Sequence, residues 1–310
     1  YKGIHGTKIQ NYTSDPANPL QGEVWYNSTS NSLKYFYVNP GSWATGNSMN
    51  TARDSLAAAG TSTAALAFGG EAPPGKQGLT ETWNGTNWTE VNDLIQVRAK
   101  LAGCGTNTAA LAFGGATPSF ALTENWNGTN WTEVNDLNTA RNFLAGCGTN
   151  TAALAFGGSS PNAQTELWNG TNWTEVNDLG AASYGIAGAG TSTAALAIGG
   201  EPGGATTELW NGTNWTEVND VNVAKYALAA AGTTTSALKY GGLTNTGATE
   251  SWNGTNWTTT TNMNTARAKL AGDGVNNTAA LAIAGDGPPG ITAATEEWNS
   301  GPATVTITTD

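Results

Sequence analysis

The charged side chains of this sequence recur at fixed places in a repeat. Arginine stands before an apolar segment at four equivalent positions, Arg53, Arg98, Arg141 and Arg267. Glutamate stands two residues before a tryptophan at six, Glu81, Glu124, Glu166, Glu208, Glu250 and Glu296. This regularity favours structural ion pairs, in which the glutamates bind arginine, lysine or backbone amides of a neighbouring sheet. Asp93 and Asp136 lie near the first of the arginines, which suggests ion pairs at strand entry. A ring of six carboxylates that holds a cation such as calcium is the alternative.

Residues typical of catalytic and metal centres are scarce. His5 is the only histidine and lies outside the repeats, which argues against a copper or zinc site with imidazole ligands. Cys104 and Cys147 share one repeat position, and we interpret them as small buried residues rather than a disulfide. The sequence therefore predicts a protein that is not an enzyme and that has no metal and no cofactor.

Composition limits the partners. The 310 residues carry a formal net charge of −11 from few charged side chains, which argues against nucleic acid and anionic membranes. The longest apolar runs are far shorter than the ~20 residues of a spanning helix, so we expect no membrane insertion.

A repeat dominates the chain. A Gly-Gly pair or its near equivalent closes an apolar run six times, and successive pairs are 45, 43, 42, 42 and 43 residues apart. Each unit reads as four short strands. In the second strand, Leu66 and Phe68 alternate with Ala65 and Ala67, so a bulky face of one sheet can pack on the alanine face of the next. A helix is disfavoured because each run is only about eight residues long before Gly breaks it.

The motif Trp-Asn-Gly-Thr-Asn-Trp occurs five times, first at residues 83–88. Asn84-Gly85 predicts a type I′ hairpin turn with positive φ at both residues. The flanking tryptophans are interpreted as packing residues, and an aromatic platform for sugars is the alternative.

The two ends of the chain complement each other. Trp298 is not followed by the second tryptophan that other units have, whereas the segment from Trp43 to Arg53 aligns without a gap on the segment from Trp131 to Arg141. This predicts an all-β, six-bladed β-propeller whose last sheet is completed by the strand at Trp43. Residues 303–309 resemble another strand that competes for that place. The predicted division is an N-terminal attachment segment with a β-hairpin at 1–42 and the propeller at 43–310.

These units resemble kelch repeats, which share a Gly-Gly pair followed by two aromatic residues, over residues 43–299. The units are short for that family, and Trp83 stands where kelch repeats usually have tyrosine. They also resemble kelch-like proteins of tailed bacteriophages, especially marine ones, and residues 15–27 are similar to a hairpin of tail-fibre and other virion proteins. The resemblance implies a protein of the virion surface, and hence an extracellular location.

The connection after Gly-Gly differs in every unit, whereas the turns at the other ends of the strands are uniform. In an up-and-down blade the varied connections share one face of the disk with the Asn-Asp-Leu segments. Because binding residues usually lie on loops of a rigid scaffold, we predict a recognition surface on this face. The alternative is that these solvent-exposed loops vary by neutral drift and bind nothing. The candidate ligand-binding residues are Lys76, Phe120, Asn162, Glu201, Asn245 and Asp286.

The sequence leaves three functions open. The first is a non-enzymatic tail-fibre protein or adhesin that binds bacterial surface glycans or another receptor through the varied loops. The second is a purely structural connector or decoration protein of the virion that contacts other virion proteins through residues 1–42. The third is an enzyme acting on glycans. Assembly as a homo-oligomer is compatible with each.

Overall fold

The computed structural model describes residues 9–116, 119–159 and 162–307, and within these ranges the secondary structure is all β. Six sheets, called blades 1 to 6, surround one axis, because their innermost strands contact one another in a closed ring. The predicted six-bladed β-propeller is thus confirmed. His5 lies outside the described residues, as do residues 308–310. The described part includes no helix of the length and apolarity that a membrane span requires.

Three strands precede the first blade: β1 (Gln10–Tyr12), β2 (Val24–Asn27) and β3 (Ser32–Gly46). Blade 1 contains β4 (Ala57–Thr61), β5 (Ala64–Phe68), β8 (Thr80–Trp83) and β9 (Trp88–Val91), with a small hairpin of β6 (Glu71–Ala72) and β7 (Gly75–Lys76). Blade 2 contains β10 (Ala102–Thr106), β11 (Ala109–Phe113), β12 (Thr123–Trp126) and β13 (Trp131–Val134). Blade 3 contains β14 (Ala145–Thr149), β15 (Ala152–Phe156), β16 (Thr165–Trp168) and β17 (Trp173–Val176).

Blade 4 contains β18 (Ala187–Thr191), β19 (Ala194–Ile198), β20 (Thr207–Trp210) and β21 (Trp215–Val218). Blade 5 contains β22 (Ala229–Thr233), β23 (Ser236–Tyr240), β24 (Thr249–Trp252) and β25 (Trp257–Thr260). Blade 6 contains β26 (Ala271–Asn276), β27 (Ala279–Gly287) and β28 (Gly290–Ile307), and β3 is its outermost strand.

The core consists of layers between neighbouring blades. Leu66 and Phe68 of β5 pack against Ala110 and Ala112 of the next blade, while Ala65 and Ala67 face the preceding blade. This is the large-on-small packing that the alternation predicts. Each layer is buried, so the propeller is held together by six equivalent apolar interfaces.

The N-terminal strand closes the last blade. Trp298 pairs directly with Trp43, and β3 is the fourth strand of blade 6. The C-terminal residues do not compete for that place, because β28 runs on past the blade and its residues 301–307 pair with residues 33–39 of the same closing strand. The predicted boundary between 1–42 and 43–310 falls within β3, whose outer half forms a hairpin with β2.

The repeated turn differs from the one predicted. Only Gly85 has positive φ, at 89°, so a type I′ turn at Asn84-Gly85 is wrong. Residues 84–87 together form the connection, closed by the Asn84 N–H donating to the Asn87 carbonyl, and the Asn84 side-chain oxygen accepts from Thr86 N and Asn87 N. An Asx-type bond therefore replaces the left-handed backbone of the first residue.

The tryptophans are structural. Trp83 is 1% exposed and donates from its indole to the Ser62 carbonyl in its own blade. Trp131 is buried too, and its indole donates to Thr80 Oγ1 of the preceding blade at 3.1 Å. Trp43 makes the same bond to Thr249 from the closing strand. Packing, not a sugar platform, explains the motif.

The disk has two faces. The uniform turns lie together on the turn face, where Gly85 approaches the Thr63 backbone. The varied connections and the segments between blades lie together on the loop face, where the Leu94 N–H donates to the Gly78 carbonyl.

Candidate functional site

Six residues form a closed ring of backbone hydrogen bonds around the axis on the loop face. Each comes from the segment that enters a blade, and each N–H donates to the carbonyl of its counterpart in the neighbouring blade at 2.6–2.9 Å. We call this the axial ring; its members are Ser55, Lys100, Phe143, Gly185, Ala227 and Lys269. The bond from Ser55 N to Lys269 O crosses the seam between blades 6 and 1 and completes the circle.

All six ring residues have positive φ, between 52° and 63°, although only one is glycine. Side chains rarely adopt this left-handed region, and each such residue costs of order 1–3 kcal/mol. The six hydrogen bonds between blades hold this backbone in place, so the Cα–Cβ bonds of the ring residues have fixed positions and directions. Rigid placement of this kind is typical of binding sites.

Beneath the ring lies a narrow axial channel. Five leucines and Ile186, one from each blade, line a cavity of about 100 Å³ below the axial ring. A second cavity, of about 140 Å³, lies deeper, between the innermost strands. The deeper cavity is lined mainly by glycine and alanine, with Cys104, Cys147 and Asp273. Burial raises the pKa of Asp273 to about 7, although a hydrogen bond from Gly274 N lowers it.

The two cysteines are free and buried, as predicted. Burial raises the pKa of Cys147 to about 12 and that of Cys104 well above its usual value, so both are thiols at neutral pH. Among the described residues, no three His, Cys, Asp and Glu side chains are grouped closely enough to hold a metal ion.

One side of the ring carries a row of aromatic side chains, which we call the aromatic row: Phe143, Tyr184 and Tyr226. The Phe143 and Tyr184 rings are 6.3 Å apart, and those of Tyr184 and Tyr226 are 6.0 Å apart. Lys100 places its ammonium 5.0 Å from the centre of the Phe143 ring. All four are partly exposed, so the row offers apolar ring surface, a hydroxyl edge and a positive charge to a ligand.

The opposite side of the ring is charged. Lys269 lies 3.7 Å from carboxylate oxygens of both Asp54 and Asp286. Burial raises the pKa of Asp54, while Ser55 and Lys269 oppose the shift. Beside this group a cleft of about 450 Å³ opens between Lys269, Ile291 and the Pro73-Pro74 turn of blade 1. The mouth of the channel is thus aromatic on one side and polar on the other.

Five of the six glutamates form an ion pair, but with a cation of their own blade and not with a neighbouring sheet as predicted. Arg98 is fully buried and contacts Glu124 at 3.1 Å, and Arg141 contacts Glu166 at 2.9 Å. Burial lowers the pKa of Arg98, and the charge of Glu124 opposes that shift. Asp93 and Asp136 do not form these ion pairs; instead each accepts a hydrogen bond from the backbone N–H of a threonine, Thr80 and Thr123.

The six predicted ligand-binding residues lie in the connections of the loop face, but the structure does not bring them into one group. Asp286 reaches the ring through Lys269, and Glu201 pairs through its backbone with Tyr184. Asn162 bonds Gln164, and Asn245 has φ 46° with a buried Oδ1 that no described residue binds. Lys76 lies in β7, and Phe120 is half-buried and accepts a hydrogen bond at its carbonyl from the Arg141 N–H.

Sequence reasoning overlooked the ring and the aromatic row. Their residues come from a two-residue stretch that precedes a Leu or Ile in every blade, as in Asn142-Phe143 and Tyr184-Gly185. The residue types of this stretch differ strongly from blade to blade, whereas the following position is always Leu or Ile. That contrast was the signal in the sequence.

Comparisons with known proteins bear on the fold alone. No family model matches the chain, and no curated protein matches it. A solved structure described as that of YjhT is similar, with a TM-score of 0.66 over 86% of this chain and 97% of that one. The two sequences are only 14% identical, so the likeness supports the propeller fold and carries no function with it.

Proposed function

We propose that this protein is a non-enzymatic recognition module that binds a glycan at the mouth of the axial channel on the loop face. The observation that carries the proposal is the aromatic row beside Lys100, held on a backbone ring that the six blades share. Sugars offer apolar C–H faces to aromatic rings and hydroxyls to charged and amide groups, and this mouth has both kinds of partner. The polar side, with Asp54, Asp286 and Lys269, supplies the hydrogen bonds.

The setting we propose is the surface of a bacteriophage particle, where the protein acts as a tail-fibre component or adhesin on bacterial surface glycans. Its support is the resemblance of the repeats and of residues 15–27 to virion proteins. Two of the predicted loop residues support this place for the site, since Glu201 pairs through its backbone with Tyr184 and Asp286 lies 3.7 Å from Lys269.

Binding of the purified chain to bacterial surface oligosaccharides, on an array and then by calorimetry, tests the proposal. Each loss of an aromatic contact should weaken binding by about tenfold, as for other aromatic anchors. We therefore expect Phe143→Ala and Tyr184→Ala to reduce affinity while the melting curve stays cooperative. Tyr37→Ala is the matched control, because Tyr37 forms a partly exposed aromatic pair with Tyr35 on the part of β3 that extends beyond the propeller core. Equal affinity of the Phe143 and Tyr37 variants would contradict a site at the mouth.

A connector role is the second candidate, and one observation favours it. The extension formed by β2, β3 and the end of β28 exposes apolar side chains, namely Val24, Val38 and Ile307. Exposed apolar residues on a sheet suit contact with another protein. If no oligosaccharide binds and substitution of these three by serine abolishes incorporation into particles, the connector role is the better account.

A further inference from the structure

Blade 4 lacks a cation that four of the other blades supply in the same way. At the position of Arg53, Arg98, Arg141 and Arg267, blade 4 has Ser183. Its glutamate, Glu208, is nevertheless buried like the others, at 5% exposed. Its carboxylate accepts from Gly180 N at 2.7 Å and Ala181 N at 3.2 Å, and no ion pair to it exists among the described residues.

Blade 5 has lost the same arginine and has replaced its charge. Lys225 takes the arginine position there, but the partner of Glu250 is Lys239, which comes from the strand directly opposite. The Lys239 ammonium lies 2.8 Å from Glu250 Oε1 and donates to the Val223 carbonyl at 3.2 Å. An ammonium group can therefore satisfy this glutamate position as well as a guanidinium can.

A cavity occupies the corresponding place in blade 4. It is lined by Ala197, which pairs with Glu208 as Lys239 pairs with Glu250, and by Ala181, Ser183 and Glu208. Ser183 is 7% exposed, and its Oγ has no hydrogen-bond partner among the described residues. The cavity volume of about 10 Å³ is close to what one water-sized particle needs, and too small for a guanidinium.

We infer that blade 4 binds a compact monovalent cation of the size of ammonium at Glu208, Ala181 and Ser183. A carboxylate buried without a countercharge is unfavourable. Ala181 stands where blade 5 has Val223, whose carbonyl accepts from the Lys239 ammonium, so the Ala181 carbonyl and the Ser183 hydroxyl are the oxygen ligands that ammonium or potassium requires. The cation is either a free ion or the ammonium head of a larger amine. The inference is independent of the proposed glycan site, because it concerns an intrablade position under the blade 4 connection.

Thermal unfolding of the full chain at constant ionic strength tests this site. Ammonium chloride should raise the melting temperature of the wild type above its value in tetramethylammonium chloride, by about 1–3 °C at saturation. Potassium chloride and methylammonium chloride distinguish a free ion from the ammonium head of a larger amine. A higher melting temperature in potassium chloride assigns the free ion. A higher melting temperature in methylammonium chloride, without one in potassium chloride, assigns the amine. The absence of any difference from tetramethylammonium would overturn the inference.

Two variants separate this site from general salt effects. Ala197→Lys copies blade 5 and should raise the melting temperature by itself while abolishing the response to ammonium. Ser183→Ala removes one ligand oxygen, should leave the stability without ammonium unchanged, and should weaken the apparent ammonium affinity severalfold. Arg141→Lys in blade 3 is the matched control, since its glutamate keeps a cation and the response of blade 4 should persist. A response of equal size in the wild type and in both the Ala197 and Ser183 variants would contradict a site in blade 4.

Discussion

The uniform turns and the axial ring are connected to neighbouring blades by opposite means. Side chains link the turns: Asn135 Nδ2, in the segment that follows β13, donates to Thr171 O and Asn172 Oδ1 in a turn of the next blade, and Asn177 does the same one blade further on. The axial ring on the loop face is linked by backbone hydrogen bonds. Turns that are joined by side chains must keep their residue types, whereas a ring that is joined by backbone can change them.

This difference explains why one face is monotonous and the other varied. The ring position holds serine, lysine, phenylalanine, glycine and alanine in different blades, yet the same hydrogen bond recurs in all six. The loop face can therefore acquire an aromatic row without loss of the scaffold. We regard this separation of structural and recognition roles as the physical basis of the proposed site.

Removal of the closing strand should have the largest effect, because blade 6 then loses its outermost strand. Deletion of residues 1–46 takes Trp43 out of the core between blades 5 and 6 and leaves β28 without a partner. We expect loss of the cooperative transition or a melting temperature lower by more than 10 °C, which corresponds to several kcal/mol. Circular dichroism melting measures it, and an unchanged transition would contradict closure by β3.

The next effect concerns the buried ion pairs below the loop face. Arg141→Ala leaves Glu166 buried without its cation and should cost about 3–5 kcal/mol. Ser183→Ala at the same position of blade 4 removes no ion pair and is the control, with a change below about 1 kcal/mol. Denaturant unfolding compares the two. Equal losses in both variants would show that the pair contributes nothing beyond packing.

The axial channel adds a pH-dependent effect. Because the pKa of Asp273 is raised to about 7 in the folded state, from 3.8, its carboxyl favours the protonated form, and stability is lost as pH rises from about 4 to about 7. The side chain borders channel space, so we expect a loss of roughly 2 kcal/mol rather than the full value of the shift. Asp273→Asn should remove this dependence, which melting between pH 4 and 8 measures. A wild type whose stability follows the Asn variant at every pH would exclude this role of Asp273.

Much of the fold was readable from the sequence because the repeats carry the same short-range information six times. The strands, the alternating core faces and the complementarity of Trp43 and Trp298 follow from residue type and spacing alone. The axial ring was not readable, because positive φ at Lys100 or Phe143 has no local signal and depends on the approach of neighbouring blades. The turn type was missed because an asparagine side chain can substitute for a left-handed backbone.

The candidate site was only partly predictable for the same reason. The loop face was identified from its variation, but the six chosen residues lie on the loops rather than at the axis, where Tyr184 and Phe143 converge from different blades. The ion-pair prediction succeeded for five glutamates, since their spacing is constant, but each partner lies in the same blade rather than in a neighbouring sheet. The assignment of Asp93 failed because it lies at the end of a strand and binds a backbone amide there.

The most direct test of the account is the unfolding free energy of two double variants, one that breaks links to the turn face and one that changes the loop face. Asn135→Ala with Asn177→Ala removes four hydrogen bonds to the turns of the next blades, and Lys100→Ala with Tyr226→Ala changes side chains on the loop face but keeps every backbone hydrogen bond of the axial ring. We predict a loss of about 2 kcal/mol for the asparagine pair, at about 1 kcal/mol for each residue, and below about 1 kcal/mol for the loop pair. A loop-face variant that loses as much stability as the turn-face variant would contradict the separation of structure from recognition.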